Sequence, residues 1–392
     1  MWKIRNNQII FYMKKLLLLL ALLLSCTVGE AYAQEKTMQI RKTNGKRVNI
    51  KTTDVDSIVF LGTTMPAKSY WQDTVYITEY VSSGVPDGVT KHDYTGERIN
   101  LFEDNSYGFE KIASNSQKGQ SGAVYGDYLF IVADKLAKVC MYNLRTQKSI
   151  CICTLTPHTE TVSSTSTSVL YHCNQSTFGT VKYDESDPFP LLYVSQRAPK
   201  STGKCFVNVL RLVPKLNSAG TEYTSLTVEE VQTIYLPEAT TANALGNANF
   251  TIDPQTGYFY TYSRNNSSSA SNYLNCRITK FTPKTDLSKK EIYMSAGDIL
   301  ESYEIFDAAG KNISAENMQG GFICNSKLYI AQGYASCKFI NIRVVDLSQK
   351  KMVSDVDLLS DGFTEEPEAF FMYGGYIMTS TNSANIYRFY FN

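Results

Sequence analysis

One short phrase returns five times along this chain: Asp127-Tyr-Leu-Phe-Ile-Val, Pro190-Leu-Leu-Tyr-Val-Ser, Gly257-Tyr-Phe-Tyr-Thr-Tyr, Ser326-Lys-Leu-Tyr-Ile-Ala and Gly374-Gly-Tyr-Ile-Met-Thr. Each is an apolar or aromatic strand that starts at or near a turn signal, followed by a polar stretch and a second strand. A mostly-strand unit recurring every ~50 to 70 residues cannot bury its apolar face unaided and must pack against its neighbours. Radial repetition of small antiparallel sheets fits this pattern.

The clearest copy defines the unit. Met318 to Cys324 reads as strand one, Lys327 to Ala331 as strand two, Lys338 to Leu347 as strand three and Met352 to Leu358 as strand four. Four antiparallel strands make one blade of a β-propeller. Units at about 119–155, 170–236 (with two insertions), 247–294, from Met318 and from Glu365 predict an all-β propeller of five four-stranded antiparallel blades. The count rises to six or seven if 81–118 or 295–316 hold degenerate units. Residues 295–311 have helical spacing (Ile299, Leu300, Tyr303, Phe306) and are read as an inserted loop or short helix. The unit from Glu365 lacks a fourth strand, and Asp73-Thr-Val-Tyr-Ile-Thr-Glu-Tyr80 is expected to supply it. Pairing the two ends of the chain would leave no open edge at the seam.

The 392 residues carry a net charge of +1, which excludes a dedicated nucleic-acid binder. Tyrosine is the compositional outlier, 27 against 2 tryptophans. It suits half-buried strands first, and carbohydrate-facing or partner-facing surfaces second.

Residues 1–33 read as an export signal: basic Lys14-Lys15, an apolar run from Leu16 to Leu24, and a small-x-small cleavage site at Ala31-Tyr-Ala33. The run is too short to span a bilayer comfortably, so no transmembrane segment is expected. Leu23-Leu-Ser-Cys26 resembles a bacterial lipobox and offers lipidation at Cys26 as the alternative. Either way the expected location is periplasmic or extracellular, in a Gram-negative cell. Residues 34–68 hold a small β-hairpin element and linker, with Asn44-Gly45 as the turn between Met38–Thr43 and Arg47–Ile50. This element resembles the N-terminal segment of many exported Gram-negative surface proteins. Residues 69–392 form the expected propeller domain.

Eight cysteines follow the leader. Cys140, Cys205, Cys276 and Cys337 each open the strand after the repeated tyrosine strand, which reads as one position in four units. Equivalent positions in neighbouring sheets lie about 10 Å apart, too far for a disulfide. One bridge is open on hairpin geometry, Cys140 to Cys153. No spacing for zinc occurs.

Blades bring the starts of their innermost strands to one mouth of the central channel, and here those segments are polar. Gln120, His172 with Asn174, Asn249, Gln319, and Glu366 with Glu368 are the candidate ligand-binding residues. His172 is one of 3 histidines and offers a general base or metal ligand. With Glu366 and Glu368 as paired carboxylates it forms the catalytic alternative. Asp184, Glu185 and Asp187 sit in an acidic loop that calcium would suit, without EF-hand spacing. No nucleophile elbow, phosphate loop or zincin motif appears, and no cofactor is expected.

The unit pattern over 119–392 resembles exported bacterial β-propeller proteins of the NHL and YVTN type. Glu366-Pro-Glu-Ala-Phe-Phe is similar to the Glu-Pro-Glu-Gly entry strand of several such propellers, glutamine-cyclotransferase-like ones included, with Ala369 in the glycine position. The resemblance implies an exported propeller and no particular activity; the expected function, from the polar channel mouth, is a monomeric, non-enzymatic binding or interaction propeller whose ligand there is a small molecule, glycan, peptide or envelope protein. Its alternative is a hydrolase, lyase or cyclotransferase acting there.

Overall fold

The computed structural model describes most of residues 106–391, with short backbone strands at 33–51 and 90–93. The expected outer strand at 73–80, the export signal, and loop segments such as 197–203, 239–244 and 265–270 lie outside the described residues. Near the N-terminus, Thr37–Arg41 pairs antiparallel with Arg47–Lys51.

The rest is a five-bladed propeller. Blade one is Gly119–Tyr125, Tyr128–Ala133, Lys138–Asn143 and Lys148–Thr154. Blade two is Gln175–Phe178, Leu192–Ser195, Phe206–Leu216 and Tyr223–Tyr235. Blade three is Gly246–Ile252, Phe259–Arg264, Arg277–Phe281 and Ile299–Glu304. Blade four is Met318–Cys324, Lys327–Gly333, Ile340–Asp346 and Lys351–Asp357. Blade five is Pro367–Tyr373, Tyr376–Thr381, Asn385–Phe391 and Ser106–Ser114. All five copies of the repeated phrase are strand two of a blade.

Two strand assignments differ from the sequence reading. The seam is sealed by Ser106–Ser114, which pairs antiparallel with Asn385–Phe391 and carries Thr90–Asp93 on its outer edge. The final blade therefore takes its fourth strand from 106–114 rather than from 73–80. The stretch read as loop or helix supplies the fourth strand of blade three, Ile299–Glu304, after a single 3₁₀ turn at Ala296–Asp298. Glu291–Tyr293, expected to end blade three, instead adds in parallel to the outer strand of blade two. Sheet pairing overrides the helical spacing of Ile299, Leu300 and Tyr303, a common outcome for short apolar runs.

The five innermost strands touch in the order one, two, three, four, five and back to one. Each of the five blade interfaces holds its own apolar core. The core between blades five and one joins Leu129, Ile131 and Tyr142 to Phe371, Met378 and Ile386. Each such large side chain contributes roughly 1.5–3 kcal/mol on burial. Tyrosine suits these interfaces because its ring packs between sheets while its hydroxyl can reach a polar partner, although the buried Tyr142 hydroxyl has none among the described residues. Tyr193 packs near-parallel to Phe250 of the next blade, centroids 6.0 Å apart, with its hydroxyl 2.8 Å from Thr285 Oγ1. Burial pushes that phenol up to about 12.

The eight described cysteines are free thiols. Cys140 lies opposite Ile152, while Cys153 lies opposite Val139. Side chains alternate faces along a strand, so Cys140 and Cys153 project from opposite sides of the blade and do not bridge. The four repeated cysteines are not one position either. Cys140 is inside its strand, whereas Cys205, Cys276 and Cys337 precede theirs. Among the described residues no helix is long and apolar enough to cross a membrane.

Candidate functional site

Strand one of every blade starts from the same end of the axis, so its lead-in residues gather at one mouth. Near that entry the innermost strand slips register: between Gly119 and Ser121, Gly246 and Asn249, Met318 and Gly321, and Pro367 and Ala369. A β-bulge re-aims the side chain of its extra residue. In these four blades the slip lies at or beside a polar residue, Gln120, Asn249, Gln319 or Glu368, and in blade two Asn174 directly precedes a strand with regular register, so each blade contributes one polar residue to the belt. All five are buried, between 2% and 8% exposed.

Burial forces these groups to satisfy one another. Gln120 Nε2 donates to Glu368 Oε2 at 2.6 Å, joining blades one and five, and lies 3.5 Å from Asn174 Oδ1 of blade two. Asn174 Nδ2 donates to the Met318 carbonyl at 3.4 Å, and Asn249 Nδ2 to the Gln319 carbonyl at 3.5 Å. Gln319 Nε2 donates to Glu366 Oε1 at 2.8 Å, and Asn382 Nδ2 to Glu366 Oε2 at 2.9 Å. The structure thus brings the five belt residues and Glu366 into two hydrogen-bonded runs at the mouth, Glu368–Gln120–Asn174–Met318 and Asn249–Gln319–Glu366–Asn382.

Below the belt the channel is crossed. Gln175 Nε2 donates to the Gly321 carbonyl at 2.5 Å, and Gly321 N–H donates to Gln175 Oε1 at 2.7 Å. The side-chain amide of blade two imitates a peptide group and pairs with the backbone of blade four. Tyr262 supports this bridge from blade three, its hydroxyl 2.9 Å from the Gln319 carbonyl and 3.0 Å from Gln175 Oε1. Burial raises the Tyr262 phenol well above its ordinary 10.0, so it remains a donor. Ser121 and Ser176 hydroxyls meet at 2.6 Å between blades one and two. A Cβ on Gly321 would sit 2.7 Å from the Tyr329 carbonyl, which is why this crossing needs glycine.

Above the belt a cavity of about 60 Å³ opens between blades two, three and four. Its polar lining is Asn174, Asn247, Asn249, Asn317, Ser263 and Arg264. Asn247 and Asn317 hold φ of 50°, and His172 holds φ of 56°, each two residues before its belt residue. Asn and His are among the residues that tolerate this left-handed backbone best. A turn position common to blades two, three and four therefore accounts for a histidine at 172.

His172 does not join Glu366 and Glu368. Its Nδ1 lies 2.9 Å from Asp134 Oδ1 on blade one, and its side chain is 24% exposed. The carboxylates of Glu366 and Glu368 take hydrogen bonds from Gln319, Asn382 and Gln120 instead. The acidic loop lies away from the mouth, between strands one and two of blade two. Both oxygens of Asp187 are bound by Arg211, at 2.8 and 2.9 Å. The hydroxyl of Ser186 caps Asp184 and holds it below its ordinary 3.8. Glu185 is exposed. Among the described residues no group of three or more His, Cys, Asp or Glu side chains is placed to hold a metal ion.

Sequence reasoning missed Gln175, Ser176 and Arg264. Gln175 directly follows the predicted Asn174, but nothing in composition marks a residue that pairs across the axis. Arg264 ends the tyrosine strand of blade three, just beyond the repeated phrase.

No family model and no curated protein matches this chain. Among solved structures, Myxococcus xanthus glutaminyl cyclase is similar at 9% identity and TM-score 0.39, covering 77% of this chain and 96% of that chain. A luciferin-regenerating enzyme matches at 11% identity and TM-score 0.34, covering 72% of this chain and 94% of that one. Kuenenia stuttgartiensis hydrazine synthase matches at 11% identity and TM-score 0.35, covering 69% of this chain and 75% of that one. Similarity of this degree carries no residue role.

Proposed function

We propose that this chain is an exported, non-enzymatic binding propeller, periplasmic or extracellular, whose ligand docks at the channel mouth. The carrying observation is the amide-rich cavity between blades two and four, floored by a satisfied polar belt. About 60 Å³ holds a few water-sized groups rather than a whole sugar ring. It therefore seats the polar tip of a larger ligand, a glycan end, a peptide end or a side chain of an envelope protein. A thermal-shift and glycan-array screen tests the reading. Asn317→Gly removes one lining amide while suiting φ of 50°, so true mouth ligands must weaken in it. Tyr183→Ala, in the distant acidic loop, must leave them unchanged. Hits indifferent to Asn317→Gly would sink the proposal.

The catalytic alternative, a hydrolase, lyase or cyclotransferase, has one observation in its favour. His172 and Asp134 form a pair partly open to solvent, as a general base and its orienting carboxylate require. Asn at 172 would keep the backbone turn and abolish the base, so turnover surviving His172→Asn excludes it.

A further inference from the structure

Tyr293 is the most exposed large hydrophobic side chain among the described residues, at 55%. Side chains alternate faces along a strand. In Glu291–Tyr293, Ile292 turns inward and is buried, so Glu291 and Tyr293 share the outer face. This strand adds in parallel to the outer edge of blade two and sets Tyr293 beside Tyr235. The two rings stack, with centroids 4.7 Å apart and planes 15° from parallel. Tyr235 is buried and its hydroxyl donates to Glu160. One face of the Tyr293 ring is thus fixed against the blade, and its hydroxyl donates to Glu291 Oε2 at 2.8 Å. None of these residues lines the mouth cavity.

The surroundings of the ring are acidic. The hydrogen bond to Glu291 raises the Tyr293 phenol above its ordinary 10.0, and burial and the charges of Glu291 and Glu160 raise it further. Glu160 Oε1 also lies 3.5 Å from His158 Nε2, and Glu230 accepts from the His158 backbone N–H at 3.0 Å. Glu160, Glu230, Glu238 and Glu291 therefore stand against Lys204, His158 and Lys290. The cation that faces the ring is Lys204, its Nζ 5.7 Å from the centroid and 3.9 Å from Glu238 Oε1. Both distances are long. Elsewhere in the chain Arg388 lies 4.4 Å from the Tyr376 centroid, Arg211 lies 4.6 Å from Tyr183, and Lys280 lies 4.1 Å from Tyr258. A ring face attracts cations within about 6 Å, so Lys204 marks the direction of approach from near the outer limit of that attraction.

We propose that Tyr293 and Glu291 form a docking point for an arginine side chain of a partner protein, on the outer edge of blade two. The acidic surroundings favour a cationic partner. A guanidinium is planar, stacks on an aromatic face and forks onto a carboxylate, which matches a tyrosine ring with Glu291 at its hydroxyl. Lys204 is then an internal competitor for the same ring face. The site goes beyond the mouth-binding reading and does not depend on it. Tetra-L-arginine amide is the probe, titrated calorimetrically into the full chain at neutral pH and low salt. Tetra-L-citrulline amide keeps the shape without the charge, and tetra-L-lysine amide keeps the charge without the planar head.

The arginine peptide is expected to bind about 10-fold tighter than the citrulline peptide and roughly 3-fold tighter than the lysine peptide. Tyr293→Leu keeps Tyr235 covered but removes the ring face, and should weaken the arginine peptide about 3-fold. Glu291→Gln should weaken it by about as much. Lys204→Met should tighten it by roughly 2-fold, because the competing cation is gone. Tyr183→Ala should leave it unchanged. Thermal melts check that each variant is folded; if Tyr293→Leu is not, the Glu291 and Lys204 variants decide. Citrulline or lysine peptide binding as tightly as arginine would overturn the assignment. So would arginine binding that survives Tyr293→Leu and Glu291→Gln intact, that weakens in Lys204→Met, or that is absent altogether. Binding lost in Asn317→Gly but kept in Tyr293→Leu would place the peptide at the mouth and also overturn it.

Discussion

Truncating Glu368 to alanine tests whether the belt holds the first and last blades together. The carboxylate is 4% exposed and accepts from Gln120 at 2.6 Å, across 248 residues of sequence. A hydrogen bond to a charged acceptor contributes ~1.5–3 kcal/mol, and leaving its buried partner unmet costs about as much again at the upper end. Losing one methylene adds ~0.8 kcal/mol. Relief of the desolvation of a buried carboxylate offsets part of this. The net expectation is a loss of about 2–3 kcal/mol for Glu368→Ala, and under about 1 for Glu368→Gln, which keeps a hydrogen-bonding head. For a domain of this size the alanine variant should melt roughly 4–10 °C lower. Urea unfolding followed by tyrosine fluorescence gives the free energies. A double-mutant cycle with Gln120→Leu should return a coupling of at least about 0.5 kcal/mol. An alanine variant as stable as the parent, or a glutamine variant as damaged as alanine, would refute the reasoning.

The other predictions do not depend on the Glu368 carboxylate. Gly320→Ala should destabilise strongly, because the new Cβ would sit 2.5 Å from the Glu368 carbonyl and 2.9 Å from the Phe370 nitrogen, both backbone; a loss of at least ~1–3 kcal/mol in urea is expected. His172→Asn should leave stability within about 0.5 kcal/mol apart from the Asp134 pair, whereas His172→Val should cost ~1–2 kcal/mol more, since a β-branched residue resists φ of 56°. Asp346 is desolvated by burial, which raises its pKa, but hydrogen bonds from Ser348 and Gln349 outweigh this and hold it below 3.8. Its contribution is therefore complete above its unfolded pKa and lost as pH falls through the lower folded one. Urea melts of Asp346→Asn and parent should converge as pH drops from about 5 toward about 2. Thiol labelling at pH 8 should modify Cys337 and Cys153 before Cys205, whose thiol burial pushes up to about 11; all eight should react in urea.

How much was legible in the chain follows from what each residue does locally. The tyrosine strands announced themselves because strand two is buried on both faces and must be continuously apolar. The belt was legible for the opposite reason: Gln120, Asn249, Gln319 and Glu368 are polar residues at the doorway of otherwise apolar strands. Their convergence needed only the blade repeat. The seam strand was not legible, since Ser106–Ser114 mixes charge, glycine and aromatics and carries no tyrosine phrase. Ile299–Glu304 was hidden by apolar spacing that suits a helix as well as an edge strand. His172 attracted a catalytic reading because histidine is scarce, while the cause visible in the structure is a backbone turn shared with Asn247 and Asn317. Gln175 stayed hidden because its partner, Gly321, belongs to a blade across the channel.

The pairing of Ser106–Ser114 with Asn385–Phe391 has a temporal consequence. Ser114 and Asn385, whose side chains meet at 2.9 Å, are 271 residues apart. Nothing can zip that junction until the chain from residue 106 to residue 391 has been synthesised, and closing so large a loop is intrinsically slow. Until that late moment the circle is a broken bracelet, its first and last sheets each presenting bare amides to any passing chaperone.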